Sequence, residues 1–402
     1  MLHPLRLLAI ALLFASAPAF PVTDNIILFV VDDLRVDDRI NTPNIDNLAA
    51  AGTRYTSAYV TGTYCLTSRT GIMFGMRAEP LTRAPVFGYA LTQAYKDIYD
   101  NPEVVSLPEV LSAAGYLTAG TGKVFHDPEP DRWDIAGPET VLNELFDEWG
   151  PGPTIGIPHD KVIADWADDF IRDIPQQPFF LAVGLYQPHT PGVIPSIDYP
   201  EISGYIAHPN ELDHVPDNVK DWLPPSYYAL FAAFETLDNE TRAYMSAATY
   251  TDMLIGQVVQ ALHDTGQTAH IIIVSDNGYH LGEKAHWGKN TFWEQTMKVP
   301  LVIVSPDYPL GVNDKSVSLL DLAPTILAMA DVAPHPQFEG MPLLNTTTPV
   351  ETNHRGGRAQ MFGKLKVIDI DVDEDDPDDR LIYNLSNDPG ETVNIAGSLP
   401  GC

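Results

Sequence analysis

The sequence predicts an α/β protein: a large, mostly parallel sheet sandwiched by helices, with a small C-terminal α+β subdomain. Three observations point there. Short, wholly apolar runs recur along the chain, the mark of strands buried on both faces. Segments with helical starts and stops alternate with them. Several of the apolar runs end in polar or charged residues, which places chemistry-bearing side chains at the carboxyl edge of a sheet. The 402 residues have room for one large domain with an appendage. The expected division is 1–19 as a leader, 20–335 as the main domain and 336–402 as a small subdomain, where the composition shifts.

Taken in order, Met1 to Ala19 has the design of a secretory signal. Arg6 gives a weakly positive start, Leu7 to Phe14 an apolar run, and Ala17-Pro18-Ala19 a small-residue cleavage pattern. That run is too short to span a bilayer, and no later segment approaches the roughly 18 apolar residues a span needs. A secreted, periplasmic or lysosome-like location without a membrane span is expected. Asn25 to Val31 is a strand ending in Asp32-Asp33. Thr42 to Gly52 is a capped helix with Thr42 at N-cap, Pro43 at N1 and Gly52 past the end. Leu107 to Ala114 repeats the design between Ser106 and Gly115, and Tyr116 to Gly120 leads into Gly122-Lys-Val-Phe-His126. Asp160 to Ile174 forms an amphipathic helix after a Pro/Gly-rich stretch, and Pro178 to Gly184 the next strand, followed by Pro188-His189. Pro191 to Pro225 is proline-rich and reads as loops framing a cleft. Asn239 to His263 is a helix, His270 to Val274 a strand ending in Ser275-Asp-Asn-Gly278, Val299 to Val304 another strand, and Leu319 to Met329 a helix.

The net charge of −31 excludes nucleic acid as a partner, because phosphate binding needs a basic face. An anionic substrate would be repelled by the whole molecule, so a site for one must carry its own positive charge. The acidic run from Asp369 to Asp379 reads as a solvated surface loop. Only two cysteines occur, Cys65 and the terminal Cys402, a poor disulfide framework for an exported chain. An internal cysteine left over in such a chain is either a small buried hydrophobe or a reactive, modified thiol. Sequons stand at Asn239, Asn345 and Asn384.

Asp32 and Asp33 at one strand end can meet Asp276 and Asn277 at another. Oxygen donors of this kind suit a hard cation such as Ca²⁺ or Mg²⁺; a solvated turn at each strand end is the plainer alternative. Arg69, Lys123, His126, His189 and Lys289 sit on strand-to-loop junctions. Singly they are ordinary surface or structural residues, but together they form the cationic array that a sulfate or phosphate ester demands.

In order from residue 25 to about 395, these motifs resemble those of the type I sulfatases of the alkaline-phosphatase-like superfamily, most of all the iduronate-2-sulfatase branch. The matching segments are Asn25 to Arg35, Pro43 to Ala49, Cys65-Leu-Thr-Ser-Arg69, Gly122 to His126, Phe179 to Gly184 with Pro188-His189, Ser275 to Gly278, His280 to Glu283, Trp287-Gly-Lys289 and Asn387 to Glu391. The resemblance implies a secreted enzyme acting on a sulfated carbohydrate. One Ca²⁺ would be bound by Asp32, Asp33, Asp276, Asn277 and a formylglycine made from Cys65 by a formylglycine-generating enzyme. Arg69, Lys123 and His126 would hold the formylglycine hydrate. One hydroxyl of that hydrate attacks sulfur, and the other expels the sulfate as the aldehyde reforms. His189 and Lys289 would bind sulfate and assist the departing oxygen, while His280 and His286 would be scaffolding. Thr67 departs from the proline usual two residues after the cysteine, and Phe74 to Pro80 departs from the downstream Thr-Gly-x-x-Pro. A phosphoester or phosphonate hydrolase of the same superfamily and a silent, glycan-binding relative are the rival readings.

Overall fold

A computed structural model describes residues 25–77, 94, 96–138, 159–173, 178–189, 237–370 and 380–398. The leader, the cleft loops between Pro191 and Pro225, the acidic run beyond residue 370 and Cys402 lie outside these residues.

Along the chain come β1 (Asn25–Val31), α1 (Pro43–Ala50), β2 (Thr53–Tyr59), α2 (Cys65–Phe74), α3 (Leu107–Ala113), β3 (Leu117–Gly122), β4 (Ile135–Ala136), α4 (His159–Asp173) and β5 (Phe179–Leu185). There follow α5 (Leu237–Thr265), β6 (Ala269–Ser275), β7 (His280–Leu281), β8 (Trp287–Gly288), α6 (Glu294–Met297), β9 (Lys298–Val304), β10 (Gly311–Asn313), β11 (Val317–Ser318) and α7 (Leu322–Met329). The chain closes with β12 (Glu351–His354), β13 (Gly357–Phe362), β14 (Leu365–Asp369) and β15 (Arg380–Asn384).

The main sheet runs β10-β2-β9-β6-β1-β5-β3-β4, with β11 also on β2. At its centre β6, β1, β5 and β3 are parallel, so four carboxyl ends lie side by side. The exception to the parallel pattern is β9, antiparallel to both β6 and β2. Alternation along β1 divides the core: Ile26, Leu28 and Val30 face a layer holding α2, α3 and α7, while Ile27, Phe29 and Val31 face α1, α4 and α5.

The helix starts show how sequence becomes position. In α3 the Ser106 backbone N–H donates to Glu109 at 2.7 Å, completing a capping box. For α1, Thr42 occupies the N-cap but its side chain makes no cap bond. The Asp252 carboxylate on α5 accepts from the Asn44 and Ile45 N–H groups instead, at 3.1 and 2.8 Å. A tertiary contact thus does the work of a local cap.

The four C-terminal strands form an antiparallel sheet ordered β12-β13-β14-β15. A separate apolar cluster seats it: Tyr59, Phe292, Trp293 and Met297 pack against Ala359, Met361, Ile368 and Tyr383. Beside that cluster, fully buried Lys366 donates to Glu391 at 2.6 Å and Glu294 at 3.1 Å. No described helix is long and apolar enough to cross a membrane.

Candidate active site

Backbone pairing continues one residue past the central strands, which fixes the side chains at their ends. Asp32 N–H donates to Leu185 O at 2.9 Å, Asp276 N–H to Val31 O at 3.1 Å and Lys123 N–H to Gly184 O at 2.9 Å. Gly184 is required there, because a Cβ would sit 2.0 Å from the Lys123 carbonyl oxygen. Asp33 turns the chain sharply with φ 65°. Its N–H donates to Asp276 Oδ1 at 3.1 Å, and its carbonyl accepts from the buried Tyr244 hydroxyl at 2.5 Å.

Cys65 opens α2, a helix buried along its whole length. The loop before it is tight, since a Cβ on Gly62 would lie 2.1 Å from Thr67 Oγ1. Thr67 donates its hydroxyl to Tyr64 O at 2.9 Å, in place of the proline expected there. Arg69 lies one turn on, along the same face as Cys65. Its Nε donates to Asp276 Oδ2 at 2.7 Å, and its Nη1 to Val124 O at 3.1 Å and to Lys123 O.

These elements bring together Asp32, Asp33, Cys65, Arg69, Lys123, His189, Asp276, Asn277 and Lys289. Lys123 donates to Asp32 Oδ2. Lys289 Nζ reaches Asp33 Oδ1 at 2.5 Å, Cys65 Sγ at 2.8 Å and Asp32 Oδ1 at 3.8 Å. His189 Nε2 stands 4.0 Å from Asp33 Oδ2. Burial alone would raise Asp32, yet the charges of Lys123, His189, Lys289 and Arg69 hold it well below the usual carboxylate range. Burial wins at Asp276, pushed up to about 6 against the pull of Arg69. Burial and the Asp32 charge push the Cys65 thiol up to about 11, so as a plain thiol it is a poor nucleophile at neutral pH. Burial pulls His189 down, towards its neutral form.

The donor set fits a hard divalent cation. Oxygens of Asp32, Asp33 and Asp276 lie within 4.8 Å of one another. Asp32 Oδ1 and Asn277 Oδ1 are buried with no hydrogen-bond partner. Asn277 Nδ2 donates to Asp33 Oδ1 at 2.5 Å, and turning the amide over would offer its orphaned oxygen to the same cluster.

His126 stands apart. About a third of its side chain is exposed, and its Nδ1 lies 3.3 Å from Asp127, outside the lysine–carboxylate network. His280 and His286 brace the loop that carries Lys289: His280 Nε2 pairs with Thr291 Oγ1 at 2.8 Å, and His286 Nε2 with Lys289 O at 2.9 Å.

Three supporting groups went unread in the sequence. Asp160, fully buried in the first turn of α4, accepts from Tyr186 N–H and Gln187 N–H at 2.9 and 2.8 Å, which fixes the loop carrying His189. Tyr244 clamps the Asp33 turn. The β12–β13 hairpin braces the loop before Cys65. Aspartate in a first helical turn was the only local signal for any of them.

A family model described as sulfatase matches residues 24–332. A sulfatase of Formosa agariphila is 27% identical over 434 residues, covering 93% of this chain and 83% of that protein. Iduronate 2-sulfatase of Homo sapiens is 25% identical over 341 residues, covering 70% of this chain and 60% of its own length. The chain thus spans less than two thirds of that relative. Among solved structures, a protein in complex with its substrate D-glucosamine-2-N,6-O-disulfate superposes with a TM-score of 0.70 at 20% identity, covering 93% of each chain. A phosphonate monoester hydrolase from Silicibacter pomeroyi superposes with a TM-score of 0.70 at 19% identity, covering 93% of this chain and 91% of its own.

Proposed function

The chain belongs to the sulfatase family of sulfuric ester hydrolases, and on that footing we propose a secreted, calcium-dependent enzyme that hydrolyses sulfate esters of a sulfated sugar or polysaccharide, in the manner of iduronate 2-sulfatase. The reading rests above all on Lys289 Nζ, which bridges Cys65 Sγ at 2.8 Å and Asp33 at 2.5 Å beside the three-carboxylate cluster. Residue 65 acts as formylglycine, installed by a formylglycine-generating enzyme, and supplies a hydroxyl nucleophile that an unmodified thiol cannot. Asp32, Asp33, Asp276 and Asn277 hold the Ca²⁺, which supplies Lewis acidity and charge neutralisation at the sulfate oxygens.

The chain's own residues do the rest. Arg69 and Lys123 neutralise Asp276 and Asp32 and orient residue 65 from either side. Lys289 Nζ lies within reach of both the nucleophilic position and the metal ligands, so it can bind a sulfate oxygen without rearranging. His189 and Lys289 bind the sulfate and assist the leaving alcohol oxygen, His189 from the side of Asp33 Oδ2. His126, on the Lys123 segment, helps Arg69 and Lys123 hold the formylglycine hydrate from the outer edge of the site.

The test is mass spectrometry of the peptide containing residue 65 from protein made in its own host, paired with aryl sulfate turnover. Loss of the thiol with gain of an aldehyde, and hydrolysis that stops on chelation, are expected. An intact Cys65 thiol in active protein would overturn the proposal. A phosphonate monoester hydrolase shares this fold, and phosphonate ester hydrolysis is the rival activity to set against the sulfatase reading. Turnover of a phenyl phosphonate ester faster than the matching aryl sulfate would decide for it.

A further inference from the structure

We propose that Arg355 forms an anion-binding subsite at the entrance to the centre, engaging a second negative group of the substrate beyond the sulfate ester being cleaved; this rests on the sulfatase reading above. Arg355 and Gly356 make the two-residue turn between β12 and β13, with φ of 48° and 87°. Such a turn is best served by asparagine or glycine, and an arginine there adopts a backbone conformation that costs it more.

The hairpin is tied to both loops flanking the centre. Gly62 pairs with Asn353 as a bridge, and Asn353 N–H donates to Thr61 O at 3.0 Å. His354 Nδ1 pairs with Thr63 Oγ1 at 2.8 Å, two residues before Cys65. Thr63 O in turn accepts from Asn290 N–H at 3.1 Å, the residue after Lys289. The turn therefore keeps a fixed place relative to Cys65 and Lys289.

The charge balance singles this side chain out. The chain carries 54 acidic and 23 basic residues. Among the described residues, Arg35, Arg39, Arg54, Arg69, Arg77, Arg132, Arg172, Arg358 and Arg380 each have a carboxylate partner. Arg355 is exposed and has none among those residues. A guanidinium without a carboxylate partner among the described residues keeps its planar donor fork available for a carboxylate or a sulfate.

The experiment compares R355A and R355K with the wild type on three esters: an aryl monosulfate, a sulfated uronic acid disaccharide, and a disulfated glucosamine without a carboxylate. The expected result is a fall of about 10- to 100-fold in kcat/KM for a multiply charged ester relative to the aryl ester, carried by KM. R355K should recover part of it. Loss on the uronate alone assigns a carboxylate, and loss on the disulfate assigns a second sulfate. R358A, on the same hairpin, should leave the ratio as in the wild type. Equal losses on all three esters, or no change in the ratio, would overturn the proposal. If the wild type turns over no sulfate ester, the sulfatase reading fails by itself. Calorimetric binding of the same two sugars to wild type and R355A then decides the subsite: weaker binding by the variant supports it, equal binding overturns it.

Discussion

The ammonium of Lys289 touches a carboxylate and a sulfur at once, at 2.5 and 2.8 Å, with only 14% of its side chain exposed. Its charge is held on by burial-opposing partners, Asp33, Cys65 and Asp32, which keep it well above the usual lysine range. Replacing it with alanine strands the Asp33 carboxylate in a low-dielectric site. Without divalent cation, K289A should lose about 3–5 kcal/mol of stability, and calcium should restore much of that, because the cation takes over the neutralising role. Turnover should fall about 10²- to 10³-fold even with calcium, since a metal cannot replace the donor to the transferring group. Thermal denaturation with and without calcium, alongside aryl sulfate kinetics, checks both halves. A variant as stable and active as the wild type would remove Lys289 from the centre.

Among the elements, α4 is coupled to the chemistry through Asp160. Burial raises its carboxyl to about 7 despite two backbone donors, against 3.8 for an ordinary aspartate. The folded value exceeds the unfolded one, so this group's contribution to stability is full below about pH 4 and fades as pH rises through 7. D160N, which cannot ionise, should flatten that part of the profile. Denaturant midpoints of both proteins between about pH 4 and pH 8, with hydrogen exchange at Tyr186 and Gln187, measure it. Parallel slopes would sink the assignment. The sequence was legible where both faces of a strand are buried: β1, β5 and β6 read as apolar runs, and their polar ends are the ones the structure brings together. It was silent on β2, whose Thr53–Tyr59 stretch is half polar, and it showed an aspartate without showing what the aspartate holds. Asp252 caps a helix about 208 residues away, and Asp160 is one acid among many. Long-range polar contacts leave no periodic trace.

At the scale of the whole molecule, the charge of −31 and the cation cluster act in opposite senses. The global field attracts divalent cations and is screened by salt, the Debye length shrinking from about 30 Å at 0.01 M to about 10 Å at 0.1 M. The calcium dissociation constant should therefore rise with ionic strength, and calorimetric titration at the two salt concentrations would show it; a salt-independent constant would mean the local cations cancel the field. The C-terminal sheet is also bound into the whole, through Lys366, Glu294 and Glu391 and through Lys284, whose ammonium donates to Gly390 O and Glu391 O at 2.8 Å. The hairpin clamped over the loop before Cys65 has a consequence in time. Thr63 meets a partner 291 residues later in the chain. At about 5–20 residues per second of synthesis, that partner arrives about 15–60 s after residue 63 has been made. Cys65 is 5% exposed once the fold has closed, so the oxidation proposed for it has to precede that closure, which cannot come before residue 354 has been made. The closing of this hairpin then sets the deadline for arming the enzyme, and slowing translation between residues 65 and 353, which delays that closing, should raise the fraction of chains that are armed.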